Sequence, residues 1–524
     1  MENYFLIAIG GTGMRCLESF LYLCTLGMFD GKEFNVLLLD TDINNGNFER
    51  VKTLIDNYNT IKGDDNPTPT YKTFFSAKIK KHVFTPNYDQ RNRTFKHLTN
   101  LNNQDNQDIA DLFFDTDSQA FNLEHGYRAQ TQIGSYLMYH GILDSVRNVV
   151  NDRDNSGQDI VSFVNTIWQA GADARICILG SVFGGTGASS IPIIPRAIDD
   201  AIKLINGNGQ LHPDTLFSCT LLTNYFTFNL ANANQINADR VIADAGKFAI
   251  NSQAALMFYE DDTTITNTYN SMYHIGWPKD PVDFDQNRPD GAEVITGGSD
   301  QKNPAHILEL MSAAAAYDFF TKDRVELNNQ GREIVCKTIE YDEKSENFIY
   351  PFIDFFPKNS DEFENKLACF YLLNFILRDN DWDLNHLLQV LHRNNNIHTF
   401  VNIEEDEINS LNNIIMQFGY SFTGSKEIKS GWLWQLKEST NRNTLFFNPK
   451  SFTNKQNEIK SFNYGKLLVK KKHHFTNFLF PNPYDQFRRK FPKNKPTKEQ
   501  NVNNPIEQLL AQMYNTFTDL LGIL

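Results

Sequence analysis

No apolar run in this 524-residue chain approaches the roughly 18 residues that a membrane-spanning helix needs. Residues Met1 to Ile9 carry no basic stretch ahead of their apolar core, which argues against a secretory signal and for a first strand. Cysteine is scarce: Cys16, Cys24, Cys177, Cys219, Cys336 and Cys369 lie scattered, with no CxxC pair. That spacing argues against zinc and a disulfide framework, and predicts buried, reduced thiols. Positive charge is not in excess either. Forty-nine Lys and Arg face 63 Asp and Glu, a net charge of −14, so nucleic acid is disfavoured as the main partner. Only 21 % of residues are charged and no low-complexity tract dominates, which excludes wholesale disorder. The expectation is a soluble, cytoplasmic chain with no membrane partner.

What is present is core material: 41 % hydrophobic residues, 42 of them Phe. The length predicts about two to four domains. Tyr4–Ile9 reads as a strand that ends in Gly10-Gly11-Thr12-Gly13, and Met14–Phe29 places Leu17, Phe20, Leu21 and Cys24 at helical spacing. A second apolar strand, Val36 to Leu39, closes with Asp40-Thr41-Asp42. Strand, glycine turn, helix, strand is a βαβ unit and implies a parallel sheet. Residues 43–115 are polar and weakly periodic, and read as an insertion at the sheet edge. Beyond them the rhythm resumes. Ala174–Leu179 is a strand ending in Gly180-Ser181-Val182-Phe183-Gly184-Gly185-Thr186-Gly187, and Ile191–Ile205 a helix with Ser190 as its cap. Leu216–Thr223 and Met272–Trp277 are further strands, and Asn303–Phe320 an Ala-rich helix. The fold class is therefore α/β, a parallel Rossmann-like sheet with flanking helices, followed by a mostly helical or mixed C-terminal half. The expected division is 1–325, 326–449 and 450–524, with 303–322 as a central helix.

The chemistry concentrates in the two Gly-Gly-Thr-Gly loops, each between a strand and a helix. Glycine lets backbone N–H groups turn toward a ligand without a Cβ in the way, and the helix N-terminus behind adds partial positive charge. A P-loop is excluded, because the second loop has no lysine and the wrong spacing. A dinucleotide site stays open: Asp40 sits where a ribose-binding acid would, but the first loop lacks its third glycine and the second loop is left without a role.

The segment Gly180 to Ser189 resembles the GGGTGTG/S signature of the tubulin/FtsZ superfamily, and other loops follow in the family's order. Ile9–Gly13 is similar to its first glycine loop, and Leu39-Asp40-Thr41-Asp42 to its "NTD" turn. Gly126-Tyr127-Arg128-Ala129-Gln130-Thr131-Gln132-Ile133-Gly134 is similar to "GAGANPEVG", and Leu222 to Asn229 to the "VTKPFNFE" strand end. The resemblance covers about residues 1–325 and is closest to the divergent bacterial group called tubulin-like proteins. It implies a GTP/GDP pocket with Mg²⁺, and head-to-tail self-assembly into filaments with slow GTP hydrolysis. Gly10, Gly11, Thr12, Gly13, Gly184, Gly185, Thr186 and Gly187 would hold phosphates. Arg128, with Ala129, would face the γ-phosphate or pair with a surface carboxylate. Asp40 and Asp42 would reach Mg²⁺ or ribose, although Asp42 equally suits a turn cap.

The sequence also departs from the family. Asn229 stands at the ribose-contacting Glu position; the guanine-contacting Asn has no clear counterpart, and Asn303 and His306 substitute for it by location only. In the superfamily the catalytic acid follows the central helix in an NxDxxD/E loop and acts on the neighbouring subunit's nucleotide. Asn359-Ser360-Asp361-Glu362-Phe363-Glu364 matches that spacing, which nominates Asp361 and Glu364. Acids at a helix start also stabilise the macrodipole without any catalytic role. A nucleotide-gated scaffold for a protein partner, in a bacterial defence or signalling system by analogy, is the competing reading. An NAD-binding enzyme is the third.

Between Lys450 and Gln500 the balance is +10, leaving −24 for the rest of the chain. Lys470, Lys471, Lys472, Arg488, Arg489 and Lys490 alternate with Phe475, Phe478, Phe480 and Tyr484. Single-stranded nucleic acid is one occupant for such a stretch. Docking on the chain's own acidic body, or on a second subunit, is the reading the charge balance favours.

Overall fold

In a computed structural model of the chain, the described residues are 2–42, 44–63, 69–86, 104–120, 127, 130–228, 244–278, 280–283, 299, 301, 303–329, 333–336, 338–342, 347–349, 360–378, 403–423, 431–432 and 483–522. The first apolar run folds as Asn3–Ile9 (β1). Its side chains alternate between two cores: Tyr4, Leu6 and Ala8 enter one, and Phe5, Ile7 and Ile9 the other. A strand buried on both faces needs apolar residues at every position, which is why β1 reads as an unbroken run.

Six further strands join β1: Glu33–Leu39 (β2), Lys78–Phe84 (β3), Ala174–Ser181 (β4), Leu216–Leu222 (β5), Ser271–Ile275 (β6) and Glu333–Cys336 (β7). They form one seven-stranded sheet in the order β3-β2-β1-β4-β5-β6-β7, every neighbouring pair parallel. The chain winds outward from β1 in one direction, then crosses back to begin β4 on its other side. This is the doubly wound order, and the space above the β1/β4 boundary is its topological switch point.

Helices cover both faces. One face carries Gly10–Thr25 (α1), Gly46–Lys62 (α2) and, further along the chain, the central helix Ile307–Thr321; the other carries Thr131–Val150 (α3), Gln158–Ala170 (α4), the short Gly185–Ser190 (α5), Ile194–Asn206 (α6) and Phe248–Asp261 (α7). The central helix, α8, is so rich in Ala because it lies flat on the sheet with residues 307–320 all buried. Ser360–Arg378 (α9), Glu405–Thr423 (α10) and Pro505–Leu521 (α11) then pack over the α1 face. Phe370, Phe418 and Phe517 from these helices share one core with Phe20 and Met311.

Four expectations need correction. Residues 43–115 are not simply an insertion, since they supply α2 and the edge strand β3. Lys78, Lys80 and Lys81 hide the strand signal, but lysine on an edge strand suits the exposed rim of a sheet. The sheet also continues past residue 325 into β7. Ser190 does not cap the helix after the second glycine loop. A helix has already begun at Gly185 and ends at Ser190, and a new one starts at Ile194 with Pro195 in its first turn, where proline costs no hydrogen bond. Finally, Cys336 is exposed, while the other five cysteines are buried and outside any disulfide. Among the described residues no helix is long and apolar enough to cross a membrane.

Candidate functional site

Both glycine loops end at the switch point, one after β1 and one after β4. Gly10 adopts φ +67°, a conformation that side chains rarely take, and a Cβ there would lie 3.2 Å from Thr186 Cβ of the second loop. At Gly187 a Cβ would come within 2.5 Å of the Ser181 carbonyl oxygen, so only glycine lets the loop close on β4. Gly11, Thr12, Gly184, Gly185 and Thr186 are partly exposed, whereas Gly10, Gly13 and Gly187 are buried. Neither α1 nor α5 has a side-chain N-cap or an acidic residue in its first turn. The leading N–H groups are thus left without the usual side-chain acceptor, as an anion site requires.

Asp40 and Asp42 stand at the end of β2, beside the first loop's strand. Asp40 Oδ1 accepts from the Thr41 and Asp42 amides, while Oδ2 is buried with no partner among the described residues, as is Thr41 Oγ1. Burial, with the Asp42 carboxylate adding to it, pushes the Asp40 carboxyl up to about 7. Asp42 caps a turn through the Asn44 amide, 3.1 Å away. Two carboxylates and a hydroxyl make a hard-oxygen donor set, which fits a Mg²⁺ ion completed by phosphate and water. Among the described residues no third His, Cys, Asp or Glu joins them.

Asn303 lies just before the central helix and His306 caps it, and the fold engages the Asn303 backbone and the His306 Nδ1. The Asn303 amide donates to Asn47 Oδ1 at 3.0 Å and its carbonyl accepts from Arg50 at 3.1 Å. His306 is the N-cap of α8: Nδ1 accepts the Leu308 amide at 3.2 Å, and the Glu309 carboxylate accepts the His306 amide at 3.0 Å. Complete burial lowers the His306 pKa to about 3, so the ring is neutral and its proton sits on Nε2. That Nε2 has no partner among the described residues, and the ring lies 4.7 Å from both Tyr225 and Trp277.

Arg128, Ala129 and Asn229 lie outside the described residues, as does Gly126. Their neighbour Tyr127 is buried, and α3, which follows, docks against the second loop through Ser135 Oγ to the Ser189 carbonyl at 2.8 Å. Asp361 and Glu364 fall in the first turn of α9 rather than in a loop before it. The basic 450–482 stretch is outside the described residues. Lys490, just beyond it, pairs with Asp519 of α11 at 2.8 Å.

Sequence reasoning passed over three further residues. Arg15 and Glu18 of α1 and Glu309 of α8 form a buried ionic cluster directly behind the first glycine loop: Arg15 bonds Glu18 and lies 3.2 Å from Glu309. Burial opposes the Arg15 charge, but the two carboxylates raise its pKa above the usual value. No local pattern marks such a cluster, because its members lie some 290 positions apart. Asp323 and Glu326 were also missed. They repeat the Asp-x-x-Glu spacing immediately after α8, where Asp323 accepts the Val325 amide at 2.8 Å. Arg175, at the start of β4, donates to the carbonyls of Phe319 and Lys322, which puts the end of α8 at the opposite end of the strands from the glycine loops.

No family model matches the chain, and no curated protein matches it. Among solved structures it is similar to CetZ2 from Haloferax volcanii, described as a GTPγS-bound protofilament, at 13 % identity over 63 % of this chain and 64 % of that one, TM-score 0.27. It is also similar to CetZ from Methanosaeta thermophila strain DSM 6194 (11 %, 53 % and 46 %, TM-score 0.22) and to TubZ of Clostridium botulinum phage c-st with its C-terminal tail truncated (13 %, 65 % and 69 %, TM-score 0.23). The chain spans less than two thirds of either CetZ chain. At these scores the overlap is partial, and the fold is defined by the strand order itself.

Proposed function

We propose that this chain is a divergent tubulin/FtsZ-superfamily protein whose paired glycine loops hold the phosphates of a guanine nucleotide, and whose copies assemble head to tail with slow GTP hydrolysis. One observation carries the proposal: two uncapped glycine loops face each other across the switch point of a doubly wound sheet. A dinucleotide fold uses one such loop. Here β1 and β4 each supply one, in the order the superfamily motifs require.

In this reading the backbone amides of Gly10–Gly13 and Gly184–Gly187 bind the phosphate oxygens. Asp40 and Asp42 would hold Mg²⁺, which would neutralise charge on the terminal phosphates. Guanine as the base follows from the motif resemblance. Hydrolysis requires an acid that reaches a neighbour's nucleotide. Asp361 and Glu364 are one pair of candidates; Asp323 and Glu326 are the second, favoured by their place directly after α8, at the end of the strands opposite the glycine loops. A chain that retains nucleotide without turnover would instead act as a nucleotide-gated scaffold.

The test is to denature the purified chain and identify any released nucleotide by chromatography, repeating after soaking with GTP, ATP and NAD. Retained GTP or GDP, followed by GTP-dependent sedimentation, is the expected result. Retained NAD or ATP, or no nucleotide after any soak, overturns the guanine assignment.

A further inference from the structure

Four hydrogen-bond donors and one ion-paired guanidinium, from three helices, converge on the carboxylate of Glu18. Arg15 Nη1 bonds it from one turn away, and Arg50 Nε of α2 lies 3.1 Å from Oε2. On Oε1 it accepts Tyr22 Oη at 3.0 Å and, from α10 some 400 residues later, Gln417 Nε2 at 3.2 Å and Ser421 Oγ at 3.1 Å. Glu18 itself is 1 % exposed. Two routes connect this carboxylate to the nucleotide loops. The first is α1, which begins at Gly10 and carries Arg15 and Glu18 on the same rigid helix. The second runs through α2: Asn45 and Asn47 side chains lie within 3.5 Å of where a Gly11 Cβ would stand, Asn47 binds the Asn303 amide, and Arg50 binds both the Asn303 carbonyl and Glu18.

From this arrangement we infer that Glu18 is a relay: occupancy of the glycine loops sets how firmly α10 (Glu405–Thr423) is docked on the nucleotide-binding half. The inference rests on the nucleotide reading above. Its physical basis is the cost of leaving a buried charge short of partners. A carboxylate shared by four hydrogen-bond donors and an ion-paired guanidinium in a low-dielectric interior tolerates few intermediate arrangements, so a small displacement of α1 or α2 is met by keeping or losing whole contacts. Apolar packing of Phe418 against Tyr22 and Phe370, with Leu411, Ile414 and Ile415 buried in the same core, holds α10 on the α1 face. The two hydrogen bonds to Glu18 add a directional tie between α10 and that carboxylate. Linkage requires the effect to run both ways: tighter docking of α10 must strengthen nucleotide binding by the same factor. Met416 and Tyr420 are exposed on the outer side of α10, 47 % and 64 %, so a change in its docking reaches the surface.

Hydrogen exchange of the full-length chain, measured with and without GTPγS while bound nucleotide is assayed in the same samples, tests the relay. In the wild type, GTPγS is expected to slow exchange within 405–423 by about tenfold. In the double variant Gln417→Ala/Ser421→Ala, exchange within 405–423 should be fast in both conditions, and GTPγS affinity should fall by the wild-type coupling factor. Unchanged exchange at 405–423 with nucleotide bound overturns the relay and leaves the nucleotide reading intact. So does a double variant that keeps wild-type affinity and protection. If no nucleotide binds, the nucleotide reading fails and takes the relay with it. Glu18→Gln serves as a second variant, since it keeps the shape of the node and removes its charge.

Discussion

Gly10 and Thr186 face each other across the β1/β4 boundary, close enough that a Cβ on Gly10 would sit 3.2 Å from Thr186 Cβ. Two loops that began as separate strand ends therefore form one cradle, and neither can widen without moving the other.

Changes to the cradle should damage binding more than folding. Gly10→Ala places a side chain in a left-handed conformation at a cost of about 1–2 kcal/mol. Gly187→Ala drives its new methyl against the Ser181 carbonyl, and strain of about 1–3 kcal/mol follows. Both variants should stay folded by circular dichroism while nucleotide retention falls at least tenfold. Retention at wild-type level in both would remove the loops from the site.

The pH dependence of stability should carry the signature of Asp40. Its folded-state carboxyl titrates about 7, above the ordinary 3.8, so the folded state prefers the protonated form. The unfolded chain releases that proton at lower pH. The contribution of Asp40 is therefore fully present below the unfolded value and lost as pH rises from about 4 through 7. Asp40→Asn removes the penalty, with an upper bound of about 4 kcal/mol at pH 8. Urea midpoints of the two proteins should coincide near pH 4 and diverge in favour of the variant toward pH 8, in the absence of Mg²⁺. Parallel curves would mean that Asp40 is not the buried acid described.

His306 works in the opposite sense. Its folded-state pKa is lowered to about 3, so the unfolded chain binds a proton that the folded chain refuses, and stability is lost as pH falls from about 6.5 toward 3. His306→Asn keeps an N-cap acceptor and should flatten this acid limb, whereas His306→Ala should also lose about 1 kcal/mol of capping at neutral pH. Denaturation midpoints at pH 5 and pH 7.5 separate the two effects.

Glu309 ties Arg15, the Tyr225 hydroxyl and the His306 amide together in one buried position. Glu309→Ala leaves Arg15 with one carboxylate partner fewer and should destabilise by about 3–5 kcal/mol, as expected when one member of a buried pair is removed. Glu309→Gln keeps one acceptor oxygen for the His306 amide and turns an NH₂ donor toward the Tyr225 hydroxyl, which can accept it, so it should cost less. Chemical denaturation of both variants checks the ranking, and equal losses would mean the charge contributes nothing.

Turnover distinguishes the two acid pairs. Asp323→Ala/Glu326→Ala should abolish GTP hydrolysis and spare nucleotide retention if the segment after α8 is catalytic, with Asp361→Ala/Glu364→Ala close to wild type. The reverse pattern would assign the chemistry to the start of α9.

Much of the inner sheet was legible in the linear order of residues. β1, β2 and β4 are buried on both faces, and such strands must be apolar throughout. The glycine loops were legible for a related reason: close backbone approach at Gly10, Gly13 and Gly187 excludes a side chain, and that steric demand is written into the sequence. The edge strand β3 was not, because its lysines answer to solvent and to its place on the rim. Asn303 and His306 were nominated by location alone, and their partners on α2 and within α8 could not be read from spacing. Least legible of all was the cluster of Arg15, Glu18, Arg50, Glu309, Gln417 and Ser421. Each of these residues looks locally like an ordinary polar position on a helix. Burial and pairing at a distance are properties of the assembled helices, and only the tertiary structure could decide that these charges lie inside, with one another as their solvent.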